Sequence, residues 1–387
     1  MRRVYQAFIC LSFLGIFIFN PVIYVAAEDQ GLDFSPYAQV TLQYDDNVFL
    51  SRDDEKDDFI VTLTPGAVLE VPFDDNLLKL DYHVDINKYM DHSSQDANNH
   101  YISGDLRLSL RDVTFNIYDN FSHVFERPSV EDVNRVKRED NQAGVKAKLQ
   151  MERLGVQVGY ENFMRDYKSE PVYEAYDRTD HLYSFMLTHR TFPKTDLLFE
   201  YDFNQTRYDE SVHSDSDYHQ FLVGAMGSLT SKTDATIKAG YQIREYERAD
   251  EPDFDTGVLY ADMTHRFSDK DALKLSLART AYESTYDTNN YYKVESATAI
   301  LDHLFTPKLM GFLTGQFQTN SYPRETTEGA ETKKRRDKYY SAGAGLRYYL
   351  QKWFTLTLKA EHIIRDSNFD IFEYDQNLIT FSAKAMF

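Results

Sequence analysis

The chain alternates apolar and polar residues with a period of two over most of its length. Its last stretch, 377–387 (NLITFSAKAMF), sets Ile379, Phe381, Ala383, Ala385 and Phe387 on one parity, with Thr380, Ser382 and Lys384 on the other. Successive side chains of a strand point to opposite faces, so this segment predicts a strand with one apolar and one mostly polar face. The pattern recurs. In 78–88, Leu80, Tyr82, Val84 and Ile86 oppose Lys79, Asp81, His83 and Asp85; in 102–111, Ile102, Leu106 and Leu108 oppose Ser103, Asp105 and Arg107. Stretches 143–151, 197–204, 235–244 and 354–361 repeat it.

Connections of two kinds alternate between these runs. Tight turns rich in Asp, Asn, Ser and Pro fall at 74–76, 111–112, 152–153, 192–195, 231–234, 268–271, 306–308 and 351–353. Longer, mostly acidic loops come between them at 50–57, 91–98, 127–138, 169–177, 210–217, 249–254, 287–289, 323–336 and 367–371. Hairpin after hairpin of this kind predicts an all-β fold, a transmembrane antiparallel up-and-down β-barrel of about 18 strands with short periplasmic turns and longer acidic outer loops. Closure is compulsory in hydrocarbon, where an unpaired strand edge cannot exist. The ending resembles the carboxyl-terminal signal by which such barrels are recognised for insertion, carried here by Ile379, Phe381 and Phe387. A soluble β-sandwich would also alternate, but the apolar faces here have no second element to pack on. Two runs are irregular: 58–73 contains Pro65-Gly66 and predicts a bulge, and 113–125 puts Asp119 on the apolar parity, expected near the outer rim.

The first segment stands apart. Arg2 and Arg3 precede a nearly apolar run at 7–19, and Val25-Ala26-Ala27 supplies small residues before Glu28. That order predicts a cleavable secretory signal over 1–27, leaving 28–387 as the barrel in a bacterial outer membrane. The apolar run is shorter than the roughly 20 residues a spanning helix needs. The one cysteine, Cys10, lies inside it, so stability must come from a large closed sheet instead of disulfides. A formal charge of −20 excludes nucleic acid as a partner, which requires clustered positive charge. The negative mean hydropathy is compatible with a barrel, because only alternate residues in mid-strand need be apolar.

If the apolar parity meets lipid, the polar parity lines a lumen wide enough for an aqueous channel. The expected lining is Lys79, Asp81, His83, Asp85, Asp105, Arg107, Lys146, Lys148, Glu200, Asp202, Lys238, Asp262, Arg266, Arg347, Lys359 and Glu361. Neither sign dominates, so no charged-ring filter is announced. Hydrogen-bonding side chains and tyrosines in such numbers suit a neutral or mildly charged glycan. Asp81, His83 and Asp85 share a face and could hold a metal, but alternation makes such triplets common by accident. No metal or cofactor is expected. No Gly-x-Ser-x-Gly elbow marks a nucleophile, and parity separates Ser184 from His181 and His189, so no enzyme is expected. Lys333-Lys334-Arg335-Arg336 is the positive cluster, within reach of lipopolysaccharide phosphates or of solvent.

One segment carries a family likeness. Tyr44-Asp45-Asp46-Asn47-Val48-Phe49, then Asp58-Phe59-Ile60 and Leu63-Thr64-Pro65-Gly66, resembles the opening hairpin of a family of outer-membrane β-barrel porins that tend to be encoded with exopolysaccharide or capsule synthesis systems. The resemblance implies a channel carrying polysaccharide outward and supplies no catalytic residues. The implied partners are outer-membrane lipid and lipopolysaccharide, the barrel-assembly machinery and periplasmic polysaccharide-export components. Asp45, Asp46 and Asn47 would stand at the outer end of the first strand, ordering the loop 50–57 or binding a divalent cation. The rival reading is a general diffusion or nutrient-uptake porin. It needs an inward-folded constriction loop, and no loop is much longer than the others. An outer-membrane enzyme and a structural or adhesive barrel are further alternatives.

Overall fold

The computed structural model describes residues 31–387 except 130, 169, 170, 212, 286 and 287, so the expected signal at 1–27 and Cys10 lie outside the described residues. Its 18 strands are β1 (Asp33–Asp45), β2 (Asp58–Phe73), β3 (Asn76–Tyr89), β4 (Ala97–Leu110), β5 (Val113–Glu126), β6 (Val136–Gln150), β7 (Leu154–Tyr167), β8 (Arg178–Phe192) and β9 (Thr195–Tyr208), followed by β10 (Ser216–Thr230), β11 (Thr233–Tyr246), β12 (Phe254–Arg266), β13 (Asp271–Glu283), β14 (Tyr291–Thr306), β15 (Leu309–Glu328), β16 (Glu331–Gln351), β17 (Phe354–Ser367) and β18 (Tyr374–Met386). Each pairs antiparallel with its sequence neighbours. β1 also pairs with β18, from Tyr37↔Met386 to Asp45↔Leu378, so the ring closes. No helix among the described residues is long and apolar enough to cross a membrane; strands do the crossing.

Register decides which parity faces in. Polar-parity side chains reach past their neighbours: Lys238 on β11 contacts Glu200 on β9 at 3.0 Å, and Tyr37 on β1 donates to Asp81 on β3 at 3.4 Å. Only the concave side of a closed sheet brings such positions together. The other parity exposes Val40, Leu42, Leu63, Val158, Phe221, Val223, Ile237, Leu313 and Leu358 around the ring. An apolar belt of that extent is stable against hydrocarbon, not water.

Inner tyrosines lie flat along the wall where glycine makes room. A Cβ at Gly66 would stand 2.4 Å from the Tyr37 ring, and one at Gly144 would stand 2.5 Å from the Tyr118 ring. Each ring crosses its glycine and ends on a carboxylate one strand further, Asp81 for Tyr37 and Glu161 for Tyr118.

Three sequence expectations need correcting. The β1–β2 register runs without a shift through Ala38↔Pro65 and Tyr37↔Gly66, so the bulge expected there is absent. The β2–β3 pairing lapses between Leu63 and Gly66 and resumes in the same register; Pro65 has no N–H to donate to the ladder. Asp119 sits in regular register between Gly104 and Ala143, away from the rim, and accepts a hydrogen bond from Asn141 Nδ2 at 2.6 Å. The expected loop 323–336 is mostly a hairpin: β15 and β16 run on to Glu328 and from Glu331, with the register shift between Ser321 and Glu325.

Candidate functional site

A barrel has no central core, and here the buried apolar side chains gather in small clusters. Leu50 packs with Ile363 and Tyr374; Val136 with Tyr167 and Tyr176; Tyr246 with Ala281 and Tyr291; Tyr292 with Val294 and Tyr322. All include residues at the loop-bearing ends of strands, where the long connections fold over and into the ring.

The β1–β2 connection is fixed by the Asp-Asp-Asn segment. Asn47 Nδ2 donates to Ser51 O (2.7 Å) and Asp375 O (2.8 Å), while its Oδ1 accepts from Ser51 N (2.9 Å). Asp45 Oδ1 accepts from Asn47 N (3.0 Å) and Gln376 Nε2 (2.8 Å); Asp46 accepts from the Asn377 backbone and side chain at 2.6 Å each. The three side chains clasp the first strand, its loop and the last strand, at the seam where the ring closes. Among the described residues no group of three or more His, Cys, Asp or Glu is placed to hold a metal.

The β5–β6 connection, residues 127–135, crosses the mouth. β5 and β14 stand opposite each other in the ring, yet Glu131 of this connection bonds to the β13–β14 connection: Ser284 Oγ donates to its Oε1 at 2.5 Å, and Thr285 N and Oγ1 donate to its Oε2 at 3.0 and 3.2 Å. Asp132 accepts from the same Thr285 hydroxyl (3.0 Å) and from Ser129 (3.1 Å). The Glu131 carbonyl accepts from Arg335 Nη2 on β16 (3.2 Å) and Arg365 Nη2 on β17 (3.3 Å). Both guanidiniums contact Asp337 at 2.8 Å, and Ser367 Oγ donates to it at 2.7 Å. The Arg335 side chain, 0% exposed, stacks on Phe372 (3.6 Å to the ring centre) and Tyr322 (4.7 Å). On the near side Arg127 donates to Val48 O (2.8 Å) and Val133 O (2.7 Å), joining this loop to the β1–β2 loop.

Burial pushes the Glu131 carboxyl up to about 6, with the adjacent Asp132 adding to the rise and Arg335 opposing it. Loop length does not mark this crossing: the link between Glu126 and Val136 is shorter than those between β1 and β2 and between β7 and β8. The sequence did flag Arg335, within the basic cluster. Strand alternation divides that cluster: Arg335 and Lys333 share one face, Arg335 buried in the mouth and Lys333 over Phe369 at 4.7 Å and paired with Glu331 at 2.6 Å, while Lys334 and Arg336 are exposed on the other.

The register places the sixteen sequence-nominated wall residues on the concave face. Many of their charges are compensated locally. Lys79 pairs with Glu70 (2.7 Å), Lys359 with Glu361 (2.8 Å) and Arg266 with Asp234 (2.6 Å). Asp105 accepts from Asn116 (2.7 Å), Asp202 from Gln220 (3.0 Å) and Asp262 from Ser276 (2.7 Å). Asp85 accepts from Thr64 (2.5 Å), whereas His83 lies 3.3 Å from Asp81, so Asp85 is engaged apart from the other two. Lys146 and Arg347 lie over Tyr118 and Phe312 at 5.2 and 5.7 Å; Arg107 and Lys148 sit in the β4 and β6 ladders. Ser184 shares the inner parity of Asp202, whereas His181 meets Tyr160 and His189 meets Thr191 on the opposite face, so no serine–histidine pair forms. Ile379, Phe381 and Phe387 are exposed on the outer surface, and Phe387 N donates to Pro36 O at 3.0 Å while its ring stacks on Trp353.

Comparison with known proteins gives three kinds of result. The family described as "Putative beta-barrel porin 2" matches over residues 34–387. No curated protein matches the chain. Among solved structures, the outer-membrane protein OpdK of Pseudomonas aeruginosa aligns with TM-score 0.52 at 11% identity, covering 92% of this chain and 99% of that one. OpdK with vanillate gives 0.51 at 11% identity with the same coverage. OccK2 (OpdF) of the same organism, in complex with glucuronate, gives 0.50 at 11% identity, covering 92% and 98%. At such identity the likeness is one of fold.

Proposed function

Because the chain belongs to the family described as "Putative beta-barrel porin 2", outer-membrane β-barrel channels, we propose that it passes small hydrophilic solutes by diffusion past a fixed loop at its outer mouth. The observation that carries this reading is the connection 127–135, held from the far side through the Glu131 carboxylate and its backbone carbonyl. A polymer in transit needs a continuous bore, and a loop tied across the mouth at several points opposes that. The wall suits a diffusing solute: many of its charges are paired and the rest are dispersed, so no single contact holds a passenger tightly enough to stall it, the enter-yet-leave requirement of conduction. Residues 1–27 act in this reading as the secretory signal that delivers the chain to the outer membrane.

Polysaccharide export is the second reading, supported by the resemblance of the opening hairpin at 44–66 to porins encoded with polysaccharide synthesis systems. It requires the 127–135 loop to leave the mouth during export. A strain lacking the gene separates the two. Slower uptake of small sugars or organic acids, with unchanged secreted polysaccharide, is the outcome expected here. Lost polysaccharide with unchanged small-solute uptake would replace this reading with the export one.

A further inference from the structure

Against β6 to β13 the lumen holds a cavity of about 360 Å3, within the range of small-molecule sites. Its lining includes buried polar atoms with no hydrogen-bond partner in the protein. Gln242, 3% exposed, leaves Oε1 without one, and so does Asp180 Oδ1. Buried polar atoms are almost always satisfied, so these two acceptors, with the Arg244 Nε donor also left open in the same lining, point to a ligand that both donates and accepts.

The rest of the lining says what kind. Its cations are compensated: Arg178 Nε lies 3.2 Å from Asp180 Oδ2, and Arg244 pairs with Glu283. The remaining carboxylate, Glu161, accepts from the Tyr118 hydroxyl, so an anionic ligand would find no uncompensated cation here. Aromatic surface is present, since Tyr218 and Tyr260 both line the cavity. The Arg244 guanidinium already covers one face of Tyr218 at 5.1 Å, and the Tyr260 hydroxyl donates to Thr280 at 2.9 Å, keeping an acceptor lone pair. Open acceptors, amide and hydroxyl groups, cations already paired and ring surfaces form the complement of a molecule with several hydroxyl groups and no negative charge. Each hydroxyl of such a molecule both donates and accepts.

We propose that this cavity binds a neutral sugar of one or two rings, with Gln242 and Asp180 accepting from its hydroxyls and Tyr218 and Tyr260 contacting its ring faces. The assignment rests on the small-solute reading and names its solute class. Weak binding beside the constriction raises local solute concentration without blocking turnover.

The test uses the purified, refolded full-length barrel with glucose, maltose and sodium glucuronate as probes. Calorimetry in detergent reads the site, and single-channel recording in planar bilayers reads the channel. Maltose or glucose should bind measurably and more tightly than glucuronate, and should interrupt the current. Gln242→Ala should weaken sugar binding by about three- to tenfold, the effect of one lost hydrogen bond. Gln316→Ala, on β15 across the lumen, should leave binding unchanged. If Gln242→Ala fails to fold, Gln242→Met keeps the side-chain length, removes the acceptor and should weaken sugar binding to a similar extent. Conductance without sugar binding, or tighter binding of glucuronate than of both sugars, overturns the site while leaving the channel reading intact. Sugar binding without conductance upholds the site and removes the channel reading.

Discussion

Replacing Glu131 with alanine should free the mouth loop without unfolding the barrel. The carboxylate accepts two full hydrogen bonds, from Ser284 Oγ and Thr285 N, while the single Thr285 hydroxyl proton is shared with the nearer Asp132; bonds to a charged group contribute about 1.5 kcal/mol each at the lower end of their range, roughly 3 kcal/mol together. The offset is the burial of that charge. Its carboxyl stands at about 6 against an ordinary 4.5, which at about 1.4 kcal/mol per pKa unit amounts to about 2 kcal/mol of relief when the charge is removed. The net loss is therefore on the order of 1 kcal/mol, a shift of about fivefold in the docked-to-free ratio. The backbone carbonyl of residue 131 keeps its bonds from Arg335 and Arg365, so the loop should fluctuate while staying tethered. Single-channel recording in planar bilayers should show larger mean conductance and more current noise in Glu131→Ala than in the parent. Heat-modifiable migration on gels should show that both barrels are folded. Glu131→Gln should fall between them, because its amide keeps one acceptor but turns an N–H toward the Thr285 donors. A folded Glu131→Ala barrel with parental conductance and noise would refute the assignment of this loop as the constriction.

The raised Glu131 carboxyl sets a pH dependence whose sign is fixed: the docked loop binds the proton more tightly than the free loop, so docking strengthens as pH falls through about 6 and the gain is complete below the ordinary 4.5. Conductance should drop between pH 7.5 and pH 5, and Glu131→Gln should shrink that drop; an equal drop in both proteins would reject Glu131 as its origin. Val84 faces outward with Tyr82 and His83 inward against Gly66. Val84→Arg should therefore impair membrane assembly by about 2–4 kcal/mol, while His83→Arg is tolerated; equal tolerance in folding and surface-exposure assays would contradict the register. Deleting Met386 and Phe387 removes two backbone bonds, Met386 N to Trp353 O (2.8 Å) and Phe387 N to Pro36 O (3.0 Å). Insertion measured by membrane fractionation should fall, and normal insertion would count against the signal role of the ending.

The period-two pattern made most of the barrel legible before any coordinates, because each strand has one face in lipid and one in the lumen, and the turn residues punctuate it. The expected strand count matches the ring of β1 to β18, and so does the alternation of short and long connections except at β15–β16, whose outer connection is a tight turn at 329–330. The mouth was another matter. Glu131, Ser284, Thr285, Asp337 and Arg365 belong to four different connections or strands, and only ring closure brings them together. No spacing in the chain encodes a contact between elements on opposite walls. Pro65-Gly66 misled in the opposite direction: turn-forming residues read locally as a bulge, while in the ring Gly66 makes room for the Tyr37 ring.

The central claim, a barrel whose fixed mouth loop admits small solutes and holds back polymers, is tested most directly by liposome swelling with the purified protein and sugars of graded size. Monosaccharides and disaccharides should enter at rates that fall steeply with size, and oligosaccharides of about six or more rings should be excluded, because the tied loop obstructs the aqueous channel that a barrel of this strand number leaves open. Free passage of long oligosaccharides at rates close to that of glucose, with the native 127–135 loop in place, would contradict the account.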